Sequence, residues 1–178
     1  MRVKITGTGS YLPKLRVTNE DLSQIVDTSD EWIRSRTGIE ARHLCVSETT
    51  TGMSTEASEK ALKSAGITAE DVDIIIAATV SADKYLPGLA CEVQKNLGAG
   101  KAVAFDINAA CSGFLFALDT AAIYLEHNRW KHALVIGAET LSKMMDWTDR
   151  STCVLFGDGA GAAVLSSVEE EGLLSMVQ

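Results

Sequence analysis

The sequence predicts an α/β fold: a mixed, mostly parallel five-stranded sheet with helices on both faces. Strand-like and helix-like segments alternate along most of the 178 residues, which is typical of a layered sheet. The run VDIIIAATV (72–80) is rich in β-branched residues and contains the apolar stretch IIIAA, as expected of a strand buried on both faces. Near the end, two apolar runs flank GDGAG (157–161) with no room for a crossover helix, which predicts antiparallel neighbours.

The amino-terminal third is predicted to contain one strand and three helices. RVKITGTG (2–9) is expected to form the first strand, which its glycines close. Helix-forming composition predicts helices in TNEDLSQIV (18–26), SDEWIRSRTG (29–38) and TGMSTEASEKALKSAG (51–66). Thr18 or Asn19 is the expected N-cap of the first helix, and Gly38 and Gly66 are expected to end the other two.

The remainder continues the alternation and then departs from it. Helices are predicted in GLACEVQKNLG (88–98) and after Cys111, and strands in KAVAFDIN (101–108) and HALVIGAET (132–140). GDGAG is interpreted as a tight turn in which Gly157, Gly159 and Gly161 adopt unusual backbone angles. GTGSYL (7–12) is also interpreted as a turn, because Leu12 stands where a dinucleotide-binding loop has its third glycine.

Composition restricts the class of protein. With 46% hydrophobic residues, 22% charged residues and two prolines, the chain is expected to fold throughout as one domain, 1–178. The net charge of −8 argues against general binding to nucleic acid or to anionic membranes. Apolar runs too short to span a bilayer, and an amino terminus without a signal-peptide core, predict a cytoplasmic location. The four cysteines are widely spaced, which predicts reduced thiols and no metal site.

Cys111 stands where a buried strand is expected to end and a helix to begin. A helix starting at Ala109 to Cys111 would place its positive dipole end beside the sulfur and favour a nucleophilic thiolate. The neighbours Ala109, Ala110, Ser112 and Gly113 are small and leave room for a substrate. Spacing alone leaves open the alternative of a small buried apolar residue.

Four motifs in register resemble one enzyme family. They are GTGSYLP (7–13), TSDEWIRSRTGI (28–39), DINAACSGF (106–114) and TDRSTCVLFGDGAGAAVL (148–165). Together they resemble the amino-terminal half of β-ketoacyl-acyl carrier protein synthase III, the condensing enzyme with the thiolase fold that starts bacterial type II fatty acid synthesis. The resemblance covers nearly the whole chain. It implies that residues 1–178 form the amino-terminal thiolase-like domain and that the carboxyl-terminal half of the enzyme is absent from this sequence.

The resemblance implies a reaction and a set of partners. A short acyl group passes from coenzyme A to Cys111, and malonyl-acyl carrier protein then supplies the carbanion of a decarboxylative Claisen condensation. No cofactor other than these thioester substrates is implied. The histidine and asparagine that stabilise the enolate lie in the family's carboxyl-terminal half, so we expect acyl transfer to Cys111 without condensation from residues 1–178 alone. The three histidines, His43, His127 and His132, are interpreted as surface or structural residues.

Four residues match the family's coenzyme A contacts: Thr28, Trp32, Arg36 and Arg150. Thr28, Trp32 and Arg36 fall at i, i+4 and i+8 and share one face if the segment is helical. The resemblance pairs Trp32 with Arg150 around the adenine ring. An amphipathic helix with a core tryptophan would give the same pattern.

The resemblance also implies a homodimer. Leu86 matches a loop position that reaches across the dimer to close the partner's acyl pocket, although a plain loop hydrophobe before Pro87 is the simpler reading. We expect the 178-residue chain to associate with itself, because half of a thiolase fold exposes apolar faces.

Other functions stay open. 3-Hydroxy-3-methylglutaryl-CoA synthase needs a glutamate where this chain has Val80, which argues against that enzyme. Related synthases that start polyketide or other secondary pathways have overlapping motifs. A non-catalytic acyl-CoA- or carrier-protein-binding half of a split enzyme would not need the Cys111 thiol. A nucleotide-binding domain would need phosphate contacts at Gly7 or Gly157.

Overall fold

The structure is a computed structural model that describes residues 2–128, 130–169 and 172. Its strands are β1 (Arg2–Tyr11), β2 (Leu15–Thr18), β3 (Ala41–Leu44), β4 (Ile74–Ala78), β5 (Val103–Ile107), β6 (His132–Thr140) and β7 (Asp158–Val168). Its α-helices are α1 (Asn19–Leu22), α2 (Asp30–Thr37), α3 (Thr50–Ala65), α4 (Leu89–Leu97) and α5 (Gly113–Asn128).

Five strands form the large sheet, in the order β1-β7-β6-β4-β5. β4 is parallel to β5 and to β6, whereas β7 is antiparallel to both of its neighbours, β6 and β1. Four strands therefore run in one direction and β7 runs against them. This confirms the predicted mixed, mostly parallel five-stranded sheet.

Helices cover both faces of this sheet, as predicted. Ile75 and Ala77 of β4 point to the face covered by α3 and α4, and Ile74 and Ile76 point to the face covered by α5. All four side chains have no exposed surface. Successive side chains of a strand point to opposite faces of the sheet, and a helical layer covers each face of β4. The strand therefore has apolar residues at consecutive positions.

Local signals explain where the helices begin and end. Thr18 accepts from the Asp21 backbone N–H while the Asp21 carboxylate accepts from the Thr18 N–H, a capping box that starts α1. Gly38 and Gly66 end α2 and α3 in the left-handed conformation, as predicted. The first helix stops at Leu22 rather than at residue 26, because the Ser23 hydroxyl donates to the Glu20 carbonyl and competes with the helical backbone pattern.

A second, two-stranded sheet was not predicted. β2 pairs with β3 in antiparallel register, from Leu15 opposite Leu44 to Thr18 opposite Ala41. Each strand has only four residues and little alternation, so the sequence gives a weak signal for it. Beside it lies an apolar cluster, the small-sheet cluster, whose buried members are Leu22, Ile33, Cys153 and Val154.

The prediction of a turn at GTGSYL is wrong. β1 continues through both glycines to Tyr11, and α3 packs directly across them. A Cβ at Gly7 would lie 2.7 Å from the Ala65 Cβ, and a Cβ at Gly9 would lie 2.5 Å from the Ala61 backbone nitrogen. The glycines are present because α3 approaches the strand too closely for any side chain.

The prediction for the tail is also wrong. Asp158–Val168 is one strand, so GDGAG lies at its start and does not connect two strands. The preceding apolar residues form turns, because the Asp149 carbonyl and carboxylate accept the backbone N–H groups of Cys153 and Ser151. Among the described glycines, those with positive φ are Gly38, Gly66 and Gly98, so Gly157, Gly159 and Gly161 adopt ordinary angles.

Gly9→Ala tests the close contact between β1 and α3. The new methyl group must overlap the Ala57 carbonyl and the Ala61 nitrogen, so we expect the free energy of unfolding to fall by about 1–3 kcal/mol, measured by urea denaturation. Gly161→Ala is the matched control: Gly161 lies opposite Ser10 in β1, and its Cβ would have no neighbour within 4 Å. Equal unfolding midpoints for the two variants would contradict this explanation.

Candidate functional site

One edge of the large sheet collects all of the segments that the sequence analysis singled out. The parallel strands β4, β5 and β6 all have their carboxyl-terminal ends on this side of the sheet. We call this side, which is formed by strand ends and not by an edge strand, the carboxyl edge. Because β7 is reversed, it starts there, with Asp158 opposite Thr140. β1 ends there as well, with Tyr11 opposite Ala160. In open α/β sheets the crevice outside the carboxyl ends of the strands is the usual place for a ligand.

Cys111 lies at the carboxyl edge, immediately after β5. It belongs to a short 3₁₀ turn, Ala110–Ser112, which the Ser112 N–H closes by donating to the Ala109 carbonyl at 3.2 Å. α5 begins only at Gly113, two residues later than the latest expected start. The side chain of Cys111 is exposed, so it is not the buried apolar residue of the alternative reading.

Backbone strain accompanies this presentation of the thiol. Ala110 has φ of +46°, the left-handed region, where a residue with a Cβ costs about 1–2 kcal/mol. It is the only non-glycine residue with positive φ among those that the structure describes. Strained residues of this kind cluster at functional sites. Nothing in the sequence indicates this strain, because alanine disfavours the left-handed conformation.

A cleft of about 500 Å³ opens between the loops that follow β4 and β5. Its lining includes Thr79, Ser81, Tyr85, Asp106, Asn108 and Met144. Asn108 lies only three residues before Cys111, so the cleft is next to the turn that carries the thiol. The lining of this cleft is part polar and part apolar.

The loop after β4 is fixed by carboxylates from other elements. Glu139, near the end of β6, accepts the Val80 backbone N–H at 2.9 Å and the hydroxyl groups of Ser81 and Thr79. Asp106, in β5, accepts the backbone N–H groups of Leu89 and Ala90 at 2.7 Å each, where α4 begins.

Asp83 holds the middle of the same loop against α3. Its carboxylate accepts the N–H groups of Thr50 and Thr51 and lies 3.6 Å from the Lys143 ammonium. Burial raises the pKa of Asp83, but the hydrogen bonds from Thr51 and Thr50 and the Lys143 charge outweigh it, so the net pKa is lowered. Leu86 lies between Asp83, which is bonded to α3, and the start of α4, which is bonded to Asp106. It has 86% of its surface exposed.

Trp32, Arg36 and Arg150 form a second group at the carboxyl edge. Trp32 and Arg36 lie one turn apart on α2, and the Arg36 Cζ is 4.5 Å from the centroid of the Trp32 ring. The Arg150 Cζ is 5.3 Å from the same centroid. Arg150 also donates to the Asp27 carbonyl at 3.0 Å and lies 3.5 Å from its carboxylate. The fold thus brings Trp32 and Arg150, which are 118 positions apart in the sequence, into direct contact.

Thr28 does not share a helical face with Trp32 and Arg36, contrary to expectation. Ser29 is the N-cap of α2, since its side chain accepts the Trp32 N–H, and Thr28 precedes the helix in extended chain. Its hydroxyl oxygen is buried and has no hydrogen-bond partner among the described residues.

The two groups are separated by the width of the sheet. Cys111 lies four residues after β5 and Arg150 lies eight residues before β7. These two strands are three positions apart in the sheet, which is roughly 14 Å at ordinary strand spacing. A ligand that contacts both Cys111 and Trp32 must therefore be elongated.

Each histidine is hydrogen-bonded to another described residue, in keeping with a structural role. The Nδ1 atoms of His43 and His127 lie 2.6 Å and 2.9 Å from the carbonyl oxygens of Pro13 and Ile123. His132 contacts the Ser166 hydroxyl at the opposite edge of the sheet. Within the described residues, no three His, Cys, Asp or Glu side chains are grouped as metal ligands. No described helix has the length and apolar character needed to cross a bilayer.

Sequence reasoning missed the carboxylates that organise the edge: Asp83, Asp106, Glu139 and Asp158. Asp158 is 5% exposed, and it accepts the backbone N–H groups of Cys45 and Ser142 at 2.7 Å and 2.9 Å. A signal was available, because each acid lies within or just after a strand, near its end at this edge. Their partners are backbone N–H groups from distant segments, which no sequence pattern identifies.

The structure predicts selective alkylation of Cys111. Burial and the Asp158 carboxylate raise the pKa of Cys45 to about 12, and burial raises the pKa of Cys153, so both stay protonated near pH 8. Peptide mass mapping after limited iodoacetamide treatment should find Cys111 modified well before Cys45 or Cys153. Equal labelling of Cys45 and Cys111 in the folded protein would contradict this assignment.

Known proteins match this chain in sequence. The family profile of 3-oxoacyl-[acyl-carrier-protein (ACP)] synthase III matches residues 105–178. The β-ketoacyl-[acyl-carrier-protein] synthase III of Clostridium acetobutylicum is 52% identical over 172 residues, which are 97% of this chain and 53% of that protein. The chain thus spans about half the length of the curated relatives it matches.

Solved structures match it in fold. The crystal structure of 3-oxoacyl-[acyl-carrier-protein] synthase III from Aquifex aeolicus superposes with a TM-score of 0.93 at 54% identity, over 94% of this chain and 55% of that one. A priming β-ketosynthase from a polyketide biosynthetic pathway gives 0.92 at 37% identity, over 95% and 51%. Sequence and fold together place the chain in the 3-oxoacyl-[acyl-carrier-protein] synthase III family, where it corresponds to the amino-terminal half of its members.

Proposed function

We propose that the chain is the amino-terminal half of an acyltransferase, which takes a short acyl group from acyl-CoA onto Cys111 and, as the whole enzyme, condenses it with malonyl-acyl carrier protein. This is the decarboxylative Claisen condensation that initiates type II fatty acid synthesis. The observation that carries the proposal is the exposed thiol of Cys111, presented by a strained turn at the carboxyl edge of the sheet. The names of the relatives supply the reaction class.

The first step is a thioester exchange. The Cys111 thiolate attacks the thioester carbonyl, the new C–S bond forms, and the coenzyme A thiolate leaves. The Cys111 backbone N–H is proposed to stabilise the carbonyl oxygen as negative charge develops on it. In the second step the malonyl carboxylate leaves as carbon dioxide, and the resulting carbanion attacks the acyl carbonyl and expels the Cys111 thiolate. Neither step needs a cofactor besides the thioester substrates.

Coenzyme A is proposed to lie along the carboxyl edge, with its thioester at Cys111 and its adenine at Trp32. The separation of roughly 14 Å between these groups suits an extended pantetheine arm. Arg36 and Arg150 would pair with phosphates or stack on the base, and the unpartnered Thr28 hydroxyl would gain a polar contact. A base between Trp32 and Arg150 needs roughly 7 Å, so the Arg150 guanidinium must rotate outward on binding while its backbone stays in place.

A homodimer is proposed through the outer edge of β5. β5 lies at the end of the sheet, and Val103 on it is 45% exposed. Such an edge is a template for pairing with a second copy. Leu86 belongs to the loop that Asp106 of β5 ties down, so pairing would bring it near the partner's cleft and let it limit acyl chain length.

We place the reaction in the cytoplasm, which keeps thiols reduced and so would preserve the free Cys111. All four cysteines are unpaired in the structure.

A second candidate is a synthase that primes polyketide or another secondary pathway. The fold similarity to a priming polyketide ketosynthase, at a TM-score of 0.92, supports this second candidate. Both candidates share the acyl-Cys111 intermediate and differ in the acyl group accepted.

The first experiment is intact-mass analysis after incubation with acyl-CoAs of increasing chain length. We expect one acyl increment on the wild type and none on Cys111→Ser, because the thiolate is the acceptor. Leu86→Phe should shift the preference towards the shortest acyl groups, since the larger ring would fill the partner's pocket. An increment that persists in Cys111→Ser would disprove the assignment of the nucleophile.

The proposed dimer is tested by light scattering at micromolar concentration. The chain mass is 19.0 kDa, so a mass near twice that value is expected. Val103→Lys should yield the monomer, because a charge on the edge strand opposes pairing. Ile25→Lys, at an exposed apolar position away from this edge, is the control and should remain dimeric. A monomeric wild type would contradict the proposal.

A further inference from the structure

Arg42 is a buried cation for which the described part of the chain supplies no carboxylate partner. It lies on β3, it is 5% exposed, and it forms no ion pair with any described residue. Its two terminal nitrogens donate to the carbonyl oxygens of Val17 at 3.4 Å and of Val154 at 3.1 Å, while its Nε is buried without an acceptor. Burying a charge costs free energy unless hydrogen bonds compensate it. The two hydrogen bonds to Val17 and Val154 provide this compensation, and they also connect the segments that contain these residues.

The two carbonyl groups belong to segments that are far apart in the sequence. Val17 is the residue opposite Arg42 in the two-stranded sheet, so that bond stays within the sheet. Val154 is 112 positions away, in the turns that precede β7. The Arg42 side chain therefore joins the two-stranded sheet to the segment that carries Arg150.

The two-stranded sheet in turn holds the helix of Trp32. Asn19, directly after β2, is 1% exposed, and its side-chain amide donates to the Ile39 carbonyl at 2.7 Å and to the Asp30 carboxylate at 2.8 Å. These contacts fix both ends of α2 to the sheet. Any shift of the sheet is transmitted to Trp32.

The segment of Arg150 is equally constrained. The Asp149 carbonyl accepts the Cys153 N–H at 3.1 Å, and the Asp149 carboxylate accepts the Ser151 N–H at 2.9 Å. Cys153 and Val154 are completely or almost completely buried in the small-sheet cluster. A displacement of Val154 would thus move Arg150 with it.

We propose that Arg42 is a positioning residue for coenzyme A, because its bond to Val154 fixes the spacing between Trp32 and Arg150. The proposal rests on the proposed function. The small-sheet cluster packs the two segments together, but apolar contacts are not directional and do not set a register. The charge-assisted hydrogen bond from the Arg42 guanidinium to the Val154 carbonyl oxygen is directional, so it sets the register between the two segments.

The test is the coenzyme A dissociation constant of the full chain, measured by titration calorimetry. Arg42→Met keeps an unbranched side chain that reaches as far as the arginine Nε and removes the buried charge, so the variant should fold. We expect its dissociation constant to rise about 10- to 100-fold, the effect of a small misplacement at a distance. Arg42→Lys keeps the charge but offers one donor point in place of the fork and should give an intermediate value.

Two further variants separate positioning from a general loss of stability. Ser166→Ala removes another buried polar group, bonded to Thr6 and His132 at the opposite edge, and should leave coenzyme A affinity unchanged. In an Arg150→Ala background, Arg42→Met should add little, because the spacing no longer matters once Arg150 is gone. Melting temperatures of all variants report whether each one is folded.

The outcomes are distinct. Wild-type affinity in Arg42→Met, an undiminished effect in the Arg150→Ala background, or an equal loss in Ser166→Ala would each overturn the positioning role. Acetyl transfer to Cys111 is read separately by intact mass. If coenzyme A binds and Cys111 is not acetylated, the proposed function fails while the role of Arg42 stands. If the wild type does not bind coenzyme A, both fail.

Discussion

The reversal of β7 determines where every functional segment of this protein lies. Antiparallel pairing with β6 places Asp158 opposite Thr140, so the chain enters β7 at the edge where β4, β5 and β6 end. Had the last strand been parallel, the turns that carry Arg150 would lie at the opposite edge, a strand length away from Cys111. Pairing with β1 at the same time brings the end of β1, and with it the two-stranded sheet and α2, to the same place.

Satisfied carboxylates then make this edge rigid. Glu139, Asp83, Asp106 and Asp158 accept backbone N–H groups from segments that are distant in sequence. Buried or half-buried acids are tolerated here because each has several donors. At the same edge Ala110 adopts a left-handed conformation that alanine seldom takes, and the next residue, Cys111, is exposed.

Most of the large sheet could be predicted from the sequence, because its strands are long apolar runs and its helices have strong end signals, as at Thr18, Gly38 and Gly66. The errors share a cause. The glycines of β1 resemble turn signals, but they leave space for α3, which packs too closely against β1 for a Cβ. That contact is tertiary, so the local sequence does not indicate it. The apolar residues Cys153 and Val154 were assigned to a strand, whereas they fill the small-sheet cluster.

The sequence indicates which residues to place in the candidate site, but it does not indicate their arrangement. Cys111, Trp32 and Arg150 were named from motifs, and the contact between Trp32 and Arg150 agrees with that pairing. The left-handed Ala110, the carboxylates of the edge and the link from Arg42 to Val154 depend on partners dozens of residues away. Local sequence carries no information about such partners.

Carboxylates hold the edge at both ends, and a guanidinium adds a link at the tryptophan end, so the two kinds of group respond differently to acid. The pKa of Asp83 is lowered in the folded state, so its hold on the loop is complete above its unfolded pKa of about 3.9 and weakens as the pH falls towards the folded value. Burial lowers the pKa of Arg42 as well, but a guanidinium remains charged at any pH near neutrality. Acid therefore loosens the loop beside the thiol and also the turn next to Arg150, because hydrogen bonds from Ser151 and Thr152 lower the pKa of Asp149 as well. The Arg42 link keeps its charge in acid, so it is a part of the edge whose hold does not depend on a carboxylate.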